Sequence, residues 1–246
     1  LIFINHKNDI FDLLSFNKGK YLTMSFKILY VTATRTEADS LNKVSDLINL
    51  PDMIGRLELN LLVTGVGAVA TAWAMKQWVT INGKPDLAIN GGIAGSYKDE
   101  YIPGDVVMPV TDCFGDTGIE DGNNFFTLYE AGLISKDEFP YKDGLLHSDV
   151  RYSDKMRSLL RQVRAITVNT STGSEVSKIK LLKKFNPDIE TMEGATFFYI
   201  CCMENIPFLA LRAISNRVEL RNKDNWKIAL ALNNLSEKLV EVLLML

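Results

Sequence analysis

From Phe26 onward, short apolar runs alternate with stretches of helical periodicity, and this alternation constrains the fold of the 246-residue chain more than any other feature. The run FKILYVTA (26–33) is apolar and β-branched, as suits a parallel strand buried on both faces. Ala38, Leu41, Val44, Leu47 and Ile48 follow at helical spacing, Thr34 or Thr36 offers an N-cap, and Pro51 ends the helix. A second strand is expected over 57–63, a helix over 68–80, a short strand over 86–90 running into a glycine loop at 91–95, and a strand over 105–111. Residues 113–151 are rich in Gly, Asp, Asn and aromatics and read as a long excursion. Regular alternation then resumes with a helix over 154–164, a strand over 165–168, a helix over 175–185, a strand over 188–192, a helix over 194–204, a strand over 207–214 and a closing amphipathic helix over 224–245. The expected fold is a single α/β domain over 24–246, with a mixed, mostly parallel central sheet flanked by helices. Residues 1–23 lack the features of a secretory signal and are expected to form an extension outside that fold.

Composition narrows the chemistry. With 27 basic and 30 acidic residues, the formal net charge of −3 argues against holding nucleic acid by a bulk positive field. The two histidines are His6 and His147, and the three cysteines are Cys113, Cys201 and Cys202. Without a CxxC pair or an HExxH motif, neither a metal site nor a disulfide framework is expected, and free thiols suit a cytoplasmic protein. No apolar run reaches the length of a membrane span, so no membrane partner is expected either. The chemistry is therefore expected to rest on carboxylates, amides and backbone groups.

In sheets of this class ligands bind near the carboxyl ends of strands, which singles out four segments. They are Thr34-Arg35-Thr36-Glu37, the glycines of 91–95, Thr191-Met192-Glu193-Gly194-Ala195 and Arg212-Ala213-Ile214-Ser215-Asn216. GGIAG is neither GxGxxG nor a Walker loop, and a tight strand-to-helix turn is its simplest use. Glu193 follows an apolar strand and opens an apolar helix. It can serve as a helix N-terminal acid or as an acceptor for two hydroxyls of a sugar. Glu37 can be a first-turn acid or a general base beside a water, and Arg212 can be an ion-pair partner for either. Asn216 can be a turn residue, or its amide edge can both donate to and accept from a 6-oxopurine.

The glutamate after the first strand, TGVG, NGGIAG followed by PGDVV, TMEGA and LRAISN, taken in that order, resemble the purine nucleoside phosphorylase/nucleosidase superfamily over nearly all of 26–246. VNTSTGS (168–174), FGDTGIEDG (114–122) and RAISNRVELRNKDNW (212–226) are most similar to the futalosine hydrolase branch. The resemblance implies a nucleoside phosphorylase-like fold and hydrolysis of an N-glycosidic bond. For that branch it implies release of hypoxanthine and dehypoxanthine futalosine in menaquinone biosynthesis. It further implies that Glu37 activates the water and that Glu193, beside Met192, grips the ribose hydroxyls. Asn216 stands where the methylthioadenosine enzymes carry an aspartate, which favours hypoxanthine over adenine as leaving group. By the same resemblance Arg212 and Ser215 support the base edge, Ala94 and Gly95 lend backbone contacts, and Asn169, Thr170 and Ser171 belong to a purine-contacting segment. Ile93 replaces a serine common in the methylthioadenosine enzymes, so any water contact of that serine does not transfer. No cofactor is implied, and a homodimer or higher assembly is, with 114–129 at an interface or lid. Two other activities fit the same scaffold, a methylthioadenosine/S-adenosylhomocysteine nucleosidase and a purine nucleoside phosphorylase. A noncatalytic nucleoside sensor would lack Glu37 or Glu193, and both are present.

Overall fold

The computed structural model describes residues 25–41, 44 and 57–246. The extension at 1–23 and most of the helix expected over 38–48 lie outside the described residues. Strand β1 (Phe26–Thr32) lies between β2 (Leu57–Val63) and β3 (Leu87–Ser96), parallel to both. On its other side β3 pairs in parallel with β10 (Phe208–Arg217). From β10 the sheet continues through antiparallel β4 (Val106–Asp112) to β8 (Arg161–Thr167) and β9 (Ile189–Thr191), each parallel to its predecessor. Strand β9 then returns to β3 antiparallel, placing Gly95 opposite Glu190. Strands β3, β10, β4, β8 and β9 thus close into a ring, and β1 and β2 extend from the first half of β3. The sheet is mixed and mostly parallel, as expected.

Period-two alternation explains why β1 reads as one apolar run. Ile28 and Tyr30 face a core shared with Leu209, Leu211 and helix α6 (Ile228–Met245), which buries Ala231, Leu235, Leu239 and Val242. Leu29 and Val31 face the opposite core, covered by Met75 and Trp78 of α2 (Ala68–Asn82) and by Phe197 and Phe198 of α5 (Gly194–Glu204). Burying one such side chain contributes about 1.5–3 kcal/mol, so the two-sided packing holds the strand in register.

Several boundaries depart from the sequence expectation. The glycines at 91–95 are not a loop; β3 runs straight through them. A Cβ on Gly91 would lie 1.8 Å from the Tyr30 hydroxyl oxygen, and one on Gly92 would lie 2.8 Å from Glu37 Oε1. Close approach, rather than a turn, requires glycine here. The helix expected over 154–164 shrinks to α3 (Val150–Lys155), and from Arg161 the chain is strand, with Val163 and Ala165 buried at period two. Strand β10 extends past Ile214 to Arg217, with a register shift between Ile214 and Asn216. The closing helix begins at Ile228, after a 3-10 turn at Lys223–Asn225. Within the 113–151 excursion, β5 (Gly118–Asp121) and β6 (Asn124–Thr127) form an exposed hairpin whose Phe125 meets Phe185 of α4 (Glu175–Phe185). A short strand, β7 (Leu146–His147), pairs with β4.

Candidate active site

Glu37 lies in α1 (Arg35–Ala38), whose N-cap is Thr34. Thr34 and Glu37 form a reciprocal capping box: Glu37 N–H donates to Thr34 Oγ1, and Thr34 N–H donates to Glu37 Oε2 at 2.9 Å. The first-turn use foreseen for this acid is therefore real. It accounts for only one carboxylate oxygen. Oε1 points across to β3 and accepts the Ile93 N–H at 3.1 Å, in the space left by Gly92. The side chain is 8% exposed, so α1 presents a buried acceptor to the middle of the glycine strand.

Glu193 reaches the same region from β9. Because β9 runs antiparallel to β3, the residues after Thr191 travel back toward Gly92 rather than away from it. Glu193 is the N-cap residue of α5 but makes no side-chain capping bond there. Its Oε1 instead accepts the Gly67 N–H at 2.8 Å, from the loop between β2 and α2. Burial is the largest influence on this carboxyl and raises its pKa above the ordinary value. The charge of Glu37 pushes the same way, while the Gly67 bond and Arg212 oppose it.

Arg212 is 2% exposed and lies opposite Gly92 in the register of β10 and β3. Its Nη1 donates to Asn90 O and Leu211 O, each at 2.9 Å, and its Nη2 donates to Asn90 Oδ1. Those bonds do not reach Ser215 or Asn216, so the support expected from Arg212 for the base edge is not by hydrogen bond. Its charge acts instead on Glu193, Glu37 and Asp112. Sequence reasoning did not anticipate Asn90, which turns the guanidinium of this buried cation under the glycine strand.

At the other end of the site, Ser215 Oγ donates to Asn216 Oδ1 at 2.7 Å and approaches Ala94 O at 3.3 Å. Asn216 Nδ2 donates to Arg217 O at 2.8 Å. Each amide atom of Asn216 has hydrogen-bonding capacity left for a ligand. Asn216 pairs with Gly95, and Gly95 with Glu190, so β10, β3 and β9 meet in one row. Met192 is half-buried between Thr191 and Glu193. Asn169 is held by Asp116, which accepts its N–H at 2.6 Å and its Nδ2 at 3.1 Å, while Thr170 and Ser171 are exposed. A small cavity under the β5–β6 hairpin, lined by Phe114, Tyr129, Tyr141 and Phe185 among others, involves none of these residues. Among the described residues, no group of three or more His, Cys, Asp or Glu side chains could hold a metal ion, and no helix is long and apolar enough to cross a membrane.

Asp112, not among the sequence candidates, is fully buried against Gly194. Its Oδ1 accepts from Thr167 Oγ1 at 3.0 Å and from Cys113 N–H at 2.8 Å, while its Oδ2 has no partner among the described residues. A Cβ on Gly194 would lie 2.2 Å from that oxygen, so glycine is required where α5 begins. Burial pushes the Asp112 carboxyl up to about 7. An unfolded aspartate loses its proton near 4, so between these values the folded state binds more protons. Stability is then expected to be highest below about pH 4 from this group and to be lost as pH rises through about 7. Glu193, also raised, contributes with the same sign. Thermal melts should fall by several degrees between pH 5 and 8, and Asp112→Asn should flatten that decline. An unchanged decline in the variant would exclude Asp112 as its source.

Comparison with known proteins agrees with this architecture. The family model of the phosphorylase superfamily matches residues 52–244. A 5′-methylthioadenosine/S-adenosylhomocysteine nucleosidase of Buchnera aphidicola subsp. Acyrthosiphon pisum (strain APS) is 28% identical over 172 residues, covering 68% of this chain and 71% of the relative. A futalosine hydrolase of Streptomyces coelicolor is 28% identical over 184 residues, covering 72% and 75%. Among solved structures, futalosine hydrolase of Helicobacter pylori strain 26695 superposes with a TM-score of 0.74 at 15% identity, covering 91% of this chain and 99% of that one. The Helicobacter pylori 5′-methylthioadenosine/S-adenosylhomocysteine nucleosidase with butyl-thio-DADMe-Immucillin-A gives the same TM-score at 14% identity, covering 91% and 100%. At these identities the structural likeness speaks for the fold, and the family match, which spans most of the chain, speaks for descent. The chain belongs to the phosphorylase superfamily.

Proposed function

We propose that the chain is a hydrolytic nucleosidase and that its substrate is the 6-oxopurine nucleoside futalosine, cleaved to hypoxanthine and dehypoxanthine futalosine in menaquinone biosynthesis. The observation that carries the hydrolytic part is the approach of buried Glu37 and half-buried Glu193 to one region of the site, each held by a backbone N–H from another element. Breaking an N-glycosidic bond builds positive charge on the sugar and negative charge on the base. Glu193 would accept the ribose 2′ and 3′ hydroxyls, and its charge favours the cationic sugar. Glu37 would take a proton from the water that attacks C1′. Water suits this site better than phosphate. Arg35 is exposed, Arg212 is engaged with Asn90, and a buried carboxylate at 37 would repel a phosphate anion.

Asn216 supports hypoxanthine as the leaving base. Its Nδ2 would donate to O6 and its Oδ1 would accept from N7–H, with Ser215 orienting the amide. A second reading, methylthioadenosine/S-adenosylhomocysteine nucleosidase, draws on relatives of that name at the same 28% identity. An amide at 216 argues against it, because it cannot act as general acid toward N7. This reading includes assembly as a cytoplasmic homodimer or higher oligomer, with 114–129 at an interface or lid. The deciding test is chromatography of products from futalosine, inosine and methylthioadenosine, with and without phosphate. Hypoxanthine is expected from futalosine without phosphate. Strict phosphate dependence would make the enzyme a phosphorylase, and release of adenine alone would make it the second type of nucleosidase.

A further inference from the structure

We propose that Glu190 and Tyr97 form a latch that holds the 169–173 segment over the base side of the site, making Glu190 a positioning residue for purine recognition. The proposal rests on the functional reading above for its purine, but the latch is drawn from contacts that reading does not use. Glu190 is the central residue of β9 and is 6% exposed. A buried carboxylate is costly unless donors surround it, and here they come from two separate segments. Tyr97, which directly follows β3, donates its hydroxyl to Glu190 Oε2 at 2.6 Å. The Thr172 N–H donates to Oε1 at 2.8 Å, and the Thr172 hydroxyl donates to Oε2. Burial and the neighbouring carboxylate both drive the Tyr97 hydroxyl far above its ordinary pKa, so it remains a donor throughout the working range.

The position of this cluster gives it a role beyond holding a loop. Glu190 pairs with Gly95, which pairs with Asn216, so the latch is in the same row of the sheet as the amide assigned to the purine. The opposite end of the segment is fastened by Asp116 at Asn169, and Gly173 lies against Arg221, where an added Cβ would meet the Arg221 Cβ at 3.7 Å. Between the two carboxylate anchors, Thr170 and Ser171 stay exposed and available to a ligand. A segment pinned at both ends presents its middle without a further ordering cost on binding.

The test uses the full chain with Glu190→Gln, which keeps the shape but replaces one acceptor oxygen by an amide that faces donors. Two readouts are needed. Hydrogen exchange at Thr172 should accelerate while β3 and β10 stay protected, a result independent of any substrate. The KM for the nucleoside, and the Kd for hypoxanthine by calorimetry, should rise about tenfold, the order expected for loss of a charge-assisted hydrogen bond, with kcat changed less than about threefold. Tyr97→Phe removes one donor and should shift both readouts the same way by less. It carries the test if Glu190→Gln does not fold. Wild-type exchange at Thr172 in the variants would overturn the latch. So would accelerated exchange with unchanged KM, Kd and base preference, since the cluster would then be structural only. If the wild-type protein cleaves no nucleoside and binds no hypoxanthine, the functional reading fails, and with it the role in purine recognition. The exchange result then still decides whether the latch exists.

Discussion

Glu37→Gln is expected to lower kcat by about a hundredfold to ten-thousandfold, the range for removal of a general base, while the nucleoside still binds. Gln keeps the length of the side chain and one acceptor oxygen. It cannot accept from the Thr34 backbone, the Thr34 hydroxyl and Ile93 all at once, as the carboxylate does. Part of any effect could therefore come from a loosened helix start. Losing a capping contact typically costs about 0.5–2 kcal/mol, which leaves the fold intact and is visible in a thermal melt. Loss of turnover with a melt near wild type and retained hypoxanthine affinity would identify the proton transfer itself as the missing step. A variant that turned over at the wild-type rate would show that Glu37 is only a capping acid.

Much of this site is legible in the sequence, because its acids and amide sit at abrupt changes from apolar strand to polar residue. Glu37, Glu193 and Asn216 stand out for that reason, and the order of the strands follows from period and turn signals. The partners are not legible. Glu193 meets the Gly67 N–H from 126 positions away, and only the closed ring brings β9 back antiparallel against β3. A three-residue strand carries no signal for its own direction. Glycines 91–95 read as a loop because local propensity cannot register Tyr30, Glu37 and Val218 pressing on them from other elements. Asp112 and Glu190 give little signal, because Asp112 is the last residue of β4 and Glu190 stands between Ile189 and Thr191 rather than inside an apolar run. The helix expected over 154–164 gives way to a strand from Arg161, where Val163 and Ala165 alternate at period two into the core.

Asn216→Asp is expected to lower the preference for hypoxanthine over adenine nucleosides by about ten- to a hundredfold in kcat/KM. The carbonyl O6 of a 6-oxopurine needs a donor, which Asn216 Nδ2 supplies. A carboxylate there sets a negative acceptor against O6, losing one hydrogen bond and adding repulsion. The amino group of a 6-aminopurine needs an acceptor, and the same carboxylate supplies it. Ser215 would still donate to residue 216, since its hydroxyl already gives a hydrogen to the oxygen that both side chains share. The exchange keeps the Ser215 bond but gives up the one that Asn216 Nδ2 donates to Arg217 O, so the carboxylate is held from one side only while what it offers the base changes from donor to acceptor. Gly95 has room for this: an added Cβ would stand 3.4 Å from Asn216 Nδ2, so the glycine lets the amide lie close to the strand. The measurement is kcat/KM for a hypoxanthine and an adenine nucleoside on both proteins. A ratio that does not move would remove Asn216 from base recognition and leave it a residue of the β10 bulge. A ratio that moves toward adenine, with overall turnover retained, would tie the leaving group of this enzyme to one amide.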